Sequence, residues 1–218
     1  MSSRTEENYI KTLFNLANEN GEINISELSK ALEISIPTAN SMIKKLHTKG
    51  MVNYEKYKPV TITDKGKLQA GLIIRKHRLT EMFLVEKMGF GWEVVHDIAE
   101  QMEHIKSSIF FERIDELLGY PKIDPHGSPI PDKQGRMDSL SYQKLSDCQQ
   151  GYSVRLAALA HSSSDFLNYL NTRNIKLGID LHILAIEPFD RSMTISYQDH
   201  PSEMFSQTIC EKLLVERI

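Results

Sequence analysis

The stretch ISELSKALEISIPTANSMIKKLHTKGMVNYEKYKPVTIT, residues 25–63, decides the fold. Ile25, Leu28, Ala31 and Leu32 recur at helical spacing behind Asn24 and Glu27, a capping pattern, and predict a helix over 25–33. A tight turn at 33–35 follows. Ser35 then offers a second cap, and Pro37 sits in a first helical turn, where its missing N–H costs little. Met42, Ile43 and Leu46 are the expected buried positions of that helix, and Gly50 ends it. Two short helices joined by so short a turn form a helix-turn-helix. The open N-terminal part of the second carries Thr38, Asn40, Ser41 and Lys44, short hydrogen-bonding side chains and a cation suited to base edges and phosphates. Residues 51–55 and 60–63 alternate like a two-stranded ribbon around Tyr57, Lys58 and Pro59, a wing with a basic tip. Candidate DNA contacts are therefore Ser35, Pro37, Thr38, Asn40, Ser41, Lys44, Lys45 and Lys58. Upstream, Ser3 with Glu6 makes a capping box, and Tyr9, Leu13, Leu16 and Ala17 predict a helix over 3–18.

Charge is unevenly spread along the 218 residues, whose formal net charge is −3. Between Lys44 and Arg78 stand ten Lys/Arg (44, 45, 49, 56, 58, 65, 67, 75, 76, 78) against Glu55 and Asp64. From Leu79 to Asp147 the balance reverses, to seven basic and thirteen acidic residues. A basic N-terminal part can meet phosphates while an acidic middle part holds cations; two solvated surfaces of opposite sign would look the same. No apolar run is long enough to span a bilayer, no basic n-region precedes an apolar stretch, and a cytoplasmic location is expected. Cys148 and Cys210 are far apart without CxxC spacing, which argues against a disulfide framework and a thiolate metal site.

The middle segment holds the chemistry. Residues 67–88 read as one helix with His77 and Glu81 a turn apart, and 92–105 as another with His96, Glu100, Glu103 and His104. Positions i, i+4, i+7 and i+8 share one helix face, so these four side chains converge. Glu100, Glu103 and His104 can grip one cation, and His77 with Glu81 can complete that shell or build a second. Carboxylate and imidazole without thiolate favour Mn²⁺, Fe²⁺ or Zn²⁺, and the oxygen content leans toward Mn²⁺ or Fe²⁺. A salt-bridged, solvated helix face is the competing account of the same spacing.

The segments RKHRLTEMFL (75–84), VVHDIAEQMEHI (94–105) and DPHGSPIP (124–131) resemble the DtxR/MntR family of metal-dependent transcriptional repressors, over roughly residues 3–131. The resemblance implies a homodimer built through the middle helices, binding double-stranded palindromic operator DNA when Mn²⁺ or Fe²⁺ is held, with Zn²⁺ possible in vitro. It implies His77, Glu100, Glu103 and His104 as main ligands, and Glu81 and His96 as ligands of an ancillary site. The N-terminal helix departs from the family pattern. Where one branch has an acidic ligand and the other methionine, this chain has Asn8, whose carbonyl oxygen can serve a hard cation. One turn later, where the manganese branch has glutamate, it has Lys11, which repels a metal. Lys11 is expected to deny room to a second, closely spaced manganese and to move any second metal toward His96 and Glu81.

Beyond the proline- and glycine-containing loop 124–136, strands are expected at 154–159, 193–197 and 213–217, with a helical segment at 165–172 and apolar stretches around Gly178. Together these suggest a small barrel, similar to the SH3-like (FeoA-like) domain of longer family members. In the iron branch that domain can lend ligands to the ancillary metal, which makes Asp165, with His161 nearby, a further candidate. The expected architecture is mainly α with a small β part. It comprises a winged helix-turn-helix (1–66), a helical metal-binding and dimerisation domain (67–136), a linker (137–152) and an SH3-like barrel (153–218). Two rival functions remain: a winged-helix regulator of a non-metal signal, and a metallohydrolase, for which neither HExxH nor a nucleophile motif is present.

Overall fold

Ser3 opens the first helix as the sequence requires. Its hydroxyl accepts from the Glu6 N–H at 3.3 Å, and the Glu6 carboxylate accepts from the Ser3 N–H at 3.1 Å. This capping box starts α1 (Arg4–Leu16). The computed structural model describes residues 3–18, 20–138 and 140–218. They fall into two units, one drawn from 1–80, 97–122 and 130–138, the other from 81–96, 123–129 and 139–218.

In the first unit α1 is followed by β1 (Glu22–Ile23), α2 (Ile25–Ala31), α3 (Ile36–Thr48), β2 (Val52–Asn53) and β3 (Val60–Ile62). Ser35 caps α3, accepting from the Thr38 N–H at 3.3 Å, with proline in the first turn. Asn24 precedes α2 without a side-chain capping bond. That helix stops at Ala31, two residues short of the expected end, and Glu33 takes a left-handed φ of 53° that helical backbone does not allow. The ribbon gains a third strand: β3 lies between β1 and β2, antiparallel to both, with Glu22 opposite Thr61 and Val52 opposite Ile62. Leu13, Leu28, Ile43 and Leu46 are wholly buried between helices and sheet. Each such side chain stabilises the module by about 1.5–3 kcal/mol relative to exposure. The winged helix is thus observed.

α4 (Asp64–Met88) continues from the wing, and its residues up to Thr80 belong to this unit. Gly71 lets the 132–136 loop lie directly on the helix: a Cβ there would stand 1.9 Å from the Gly135 carbonyl oxygen. α5 (Val95–Met102) ends three residues before the expected position 105. Glu103 still donates its N–H to Ala99 at 2.9 Å, so it closes the last turn and His104 follows it. α6 (Ser108–Leu117), capped by Ser107, was not foreseen from the sequence. Arg75 of α4 ties it down, pairing with Asp115 and donating to the Pro131 carbonyl at 2.6 Å.

The second unit is dominated by an antiparallel six-stranded sheet. Its elements are β4 (Gln143–Lys144), β5 (Ser153–Leu159), α7 (Ser164–Asn171), β6 (Asp180–Ile186), β7 (Met193–Tyr197), β8 (His200–Phe205), α8 (Gln207–Cys210) and β9 (Leu213–Arg217). The order β4-β9-β5-β6-β7-β8 leaves β4 and β8 as its edges. Leu156, Leu181, Ile195, Phe205, Leu213 and Val215 form the centre of its core, covered by Phe166, Leu167 and Leu170 of α7. Leu145 and Cys148 also enter this core, so the segment expected as a linker contributes packed side chains. Burial pushes the Cys210 thiol up to about 12, which suits an apolar filler rather than a thiolate. The turn 123–129 belongs here too. Asp124 accepts from the N–H groups of His126 and Ser128 at 2.8 and 2.9 Å, and Gly127 holds a left-handed φ of 86°.

Candidate metal centre and nucleic-acid interface

The outer side of α3 is open. Ser35, Pro37, Thr38, Ser41, Lys44 and Lys45 are exposed and Asn40 is partly so. The Ser35 and Thr38 hydroxyls bond each other at 2.8 Å, and Asn40 donates its amide to Ile36 within the helix at 3.2 Å. Those three are therefore ordered by the helix itself. With Tyr54, Lys56, Lys58 and Pro59 of the wing, Asn40, Ser41 and Lys44 line a groove of about 760 Å³. At its rim Lys56 stands 4.6 Å over the ring of Tyr57, and Lys58 pairs with Glu55 at 2.8 Å. Lys45 faces the other way and reaches Glu6 of α1 at 3.0 Å. Glu6 also receives Lys49 at 2.8 Å, and that bond, with Lys45 beside it, holds its carboxyl down at about 2. The C-terminal end of α3 is thereby ionically tied to α1.

The opposite side of α1 faces the end of α5. Glu103 is wholly buried, and ligand atoms of His77, Glu100 and Glu103 all lie within 4.8 Å of one another. His77 Nδ1 is 2.7 Å from Glu103 Oε2, and His104 Nε2 is 3.7 Å from Glu103 Oε1. From α1, Glu7 reaches His104 Nδ1 at 2.8 Å. Lys11 of α1 lies between the two carboxylates, contacting Glu100 and bonding both oxygens of Glu103 at 2.8 and 2.9 Å. A buried carboxylate such as Glu103 needs a compensating partner, and Lys11 supplies one. Two buried polar atoms nevertheless have no hydrogen-bond partner, Asn8 Oδ1 and His104 Nε2. Unsatisfied buried acceptors are costly. Both lie on residues expected as ligands, and imidazole nitrogen, amide oxygen and carboxylate oxygen are together donor types that fit Mn²⁺ or Fe²⁺.

The second unit contains another group. Ligand atoms of Glu81, Asp124 and His126, all buried, also lie within 4.8 Å of one another. His96 Nδ1 is 3.4 Å from Glu81. His126 Nε2 donates to the Trp92 carbonyl at 3.0 Å, which leaves Nδ1 as the acceptor nitrogen of the neutral ring, 3.9 Å from Glu81. In the sequence Asp124 and His126 stand out only as part of a motif, and Glu7 does not stand out at all. The DPHG spelling was the available signal for the first two. Asp165 is exposed in the first turn of α7, near exposed His161, and belongs to neither group.

Two family descriptions match this chain: the iron dependent repressor N-terminal DNA binding domain over residues 1–60, and the iron dependent repressor metal binding and dimerisation domain over 63–132. The iron-dependent repressor IdeR of Mycobacterium leprae is 32% identical over 127 residues, 58% of this chain and 55% of that protein. The alignment thus spans about half the length of this relative. The HTH-type transcriptional regulator MntR of Oceanobacillus iheyensis is 32% identical over 124 residues, 57% of this chain and 84% of that protein. Among solved structures, a manganese-dependent transcriptional repressor in complex with manganese superposes with a TM-score of 0.87 at 29% identity, covering 98% of this chain and all of the other. ScaR with bound Cd²⁺ superposes with a TM-score of 0.82 at 31% identity, covering 98% and 99%.

Proposed function

The chain belongs to the DtxR/MntR family of iron- and manganese-dependent repressors, and from that premise we propose that it is a homodimeric repressor whose grip on a palindromic operator depends on Mn²⁺ or Fe²⁺. DNA reading falls to residues 1–66, metal capture and dimerisation to 67–136, and the SH3-like part to 153–218. The observation that carries the proposal is the double attachment of α1. One side pairs with the base of the recognition helix through Glu6, Lys45 and Lys49, while the other faces Glu100, Glu103 and His104. Whatever fixes α1 on α5 therefore fixes the orientation of α3.

A bound divalent cation supplies positive charge and open coordination positions that carboxylate, amide and imidazole donors fill together. On this chain Glu103 and His104 would hold it, with the orphaned carbonyl oxygen of Asn8 as a further donor, and Glu100 and His77 would complete the donor set. Glu81, Asp124 and His126, with His96 beside Glu81, would hold a second ion. Ile109 and Leu117 lie two turns apart on α6, are exposed, and suit a symmetric helix contact with a second copy. A two-fold dimer reads two half-sites, hence the palindrome. Among the described residues no helix is long and apolar enough to cross a membrane.

Operator mobility shifts under anaerobic Mn²⁺, Fe²⁺, Zn²⁺ and EDTA test this. The expected result is a loss of roughly 5- to 150-fold in operator affinity with chelator, the usual span of coupling between two sites. Equal affinity in metal and in EDTA defeats the proposal and favours a non-metal signal.

A further inference from the structure

The ammonium of Lys11 has three N–H donors, and three carboxylate oxygens surround it: Oε1 of Glu100 and both oxygens of Glu103. The side chain is only 11% exposed and that of Glu103 is 0% exposed. This is the contact set that a cation of the expected site would claim. We propose that Lys11 is a tethered stand-in for that cation, resting on the metal-dependent reading above: it holds α1 on α5 in the metal-free chain, and metal binding is an exchange in which the ammonium gives up carboxylate oxygens.

A dication and an ammonium sharing the same oxygens repel each other, and at the short separations of this site the repulsion is several times thermal energy even with strong screening. Lysine suits such an exchange, because its charge sits on a flexible four-carbon stem rather than a rigid fork. The atoms left over by the ammonium are the ones a metal needs: Asn8 Oδ1 and His104 Nε2 have no partner while Lys11 occupies the carboxylates. Lys11 and Asn8 are three residues apart on α1 and so share one helix face. Two consequences follow. In the metal-free chain Lys11 holds α1 in part, and with it the Glu6 link to Lys45 and Lys49, so the two states differ less than those of a chain without Lys11, while the rest of the docking that orients α3 comes with the metal. Metal affinity is correspondingly lower, because each ion must first displace a bound cation.

The test uses the full chain and Mn²⁺ alone. Calorimetric titration of wild type, Lys11→Met and Lys11→Arg is expected to give Lys11→Met a Mn²⁺ affinity roughly 10- to 100-fold tighter, within the ordinary range of coupling energies, and Lys11→Arg close to wild type. Amide hydrogen exchange of α1 supplies a readout independent of the variants. In wild type, α1 is expected to keep part of its protection in EDTA and to gain the rest with Mn²⁺, whereas Lys11→Met in EDTA loses that part and regains full protection with Mn²⁺. Unprotected α1 in wild-type EDTA samples, or equal Mn²⁺ affinity in wild type and Lys11→Met, overturns the stand-in and leaves the metal-dependent reading intact. Absence of Mn²⁺ binding in all three chains overturns both.

Discussion

The outer side of α3 and the seam between α1 and α5 use the same vocabulary of lysines, carboxylates and small amides, under opposite conditions. Outside, Lys44 and Lys58 stand in solvent beside the groove, where an ion pair such as Lys58 with Glu55 adds little stability. Inside, Lys11, Glu103 and His104 are largely withdrawn from water, and every unmatched charge is expensive. The first surface is stable while waiting for phosphates. The second changes energy with each cation it gains or loses, which is the property a sensor needs. The difference teaches that, under the proposed function, the switch would sit where charge is buried and the reader where charge is free.

The largest break in that contrast comes from Glu103. Replacing it by Ala leaves the ammonium of Lys11 and the imidazole of His77 without their shared carboxylate. Removing one partner of a buried pair costs about 3–5 kcal/mol. Urea unfolding in EDTA is expected to show a loss of that order for Glu103→Ala; a change as small as that of a surface substitution means the seam is not a buried charge cluster.

Glu6 sharpens the contrast through pH. Its carboxyl is held at about 2 in the folded chain by Lys49 first and Lys45 next, against a usual value of 4.5. A depressed folded-state value gives stability that is complete above pH 4.5 and lost as the pH falls toward 2. With both lysines about half exposed, the contribution is discounted to about 2 kcal/mol. Acid unfolding of Glu6→Gln against wild type is expected to converge at the lowest pH, to separate as the pH rises from about 2, and to be fully apart above pH 4.5. A constant gap at all pH values contradicts the assignment.

What sequence reveals follows the same division. The Ser3–Glu6 box and the Ser35 cap depend on neighbours within a turn, and the wing on two strands a short loop apart, and all three are present. Asn24 shows the limit of such rules, since its capping pattern is present without the bond. β1 is two residues long and exists because β3 pairs with it, so no alternation could reveal it. The Glu7–His104 contact joins residues 97 apart, and Lys11 reaches Glu103 across 92. From the sequence Lys11 promised only repulsion of a metal. Its placement among the carboxylates is a tertiary fact that spacing could not supply.

The smallest expected effect lies on the wing and tests the other half of the comparison. Lys58 is exposed, pairs only with the equally exposed Glu55 among the contacts described, and sits at the rim of the groove, where a DNA backbone would pass. A lysine in that position contributes by releasing counterions, so its effect depends on salt and not on base sequence. Lys58→Ala should leave unfolding stability within about 0.5 kcal/mol of wild type, as surface changes usually do. It should weaken binding about equally to all sequences and reduce the slope of log affinity against log salt by about one. Ser41→Ala, on the helix face lining the same groove, should instead relax preference at particular operator positions by about 1–3 kcal/mol and leave the salt slope alone. If Lys58→Ala altered sequence preference while the salt slope stayed fixed, the wing would be reading bases, and the separation of a solvent-facing phosphate grip from the buried cation seam would have to be redrawn.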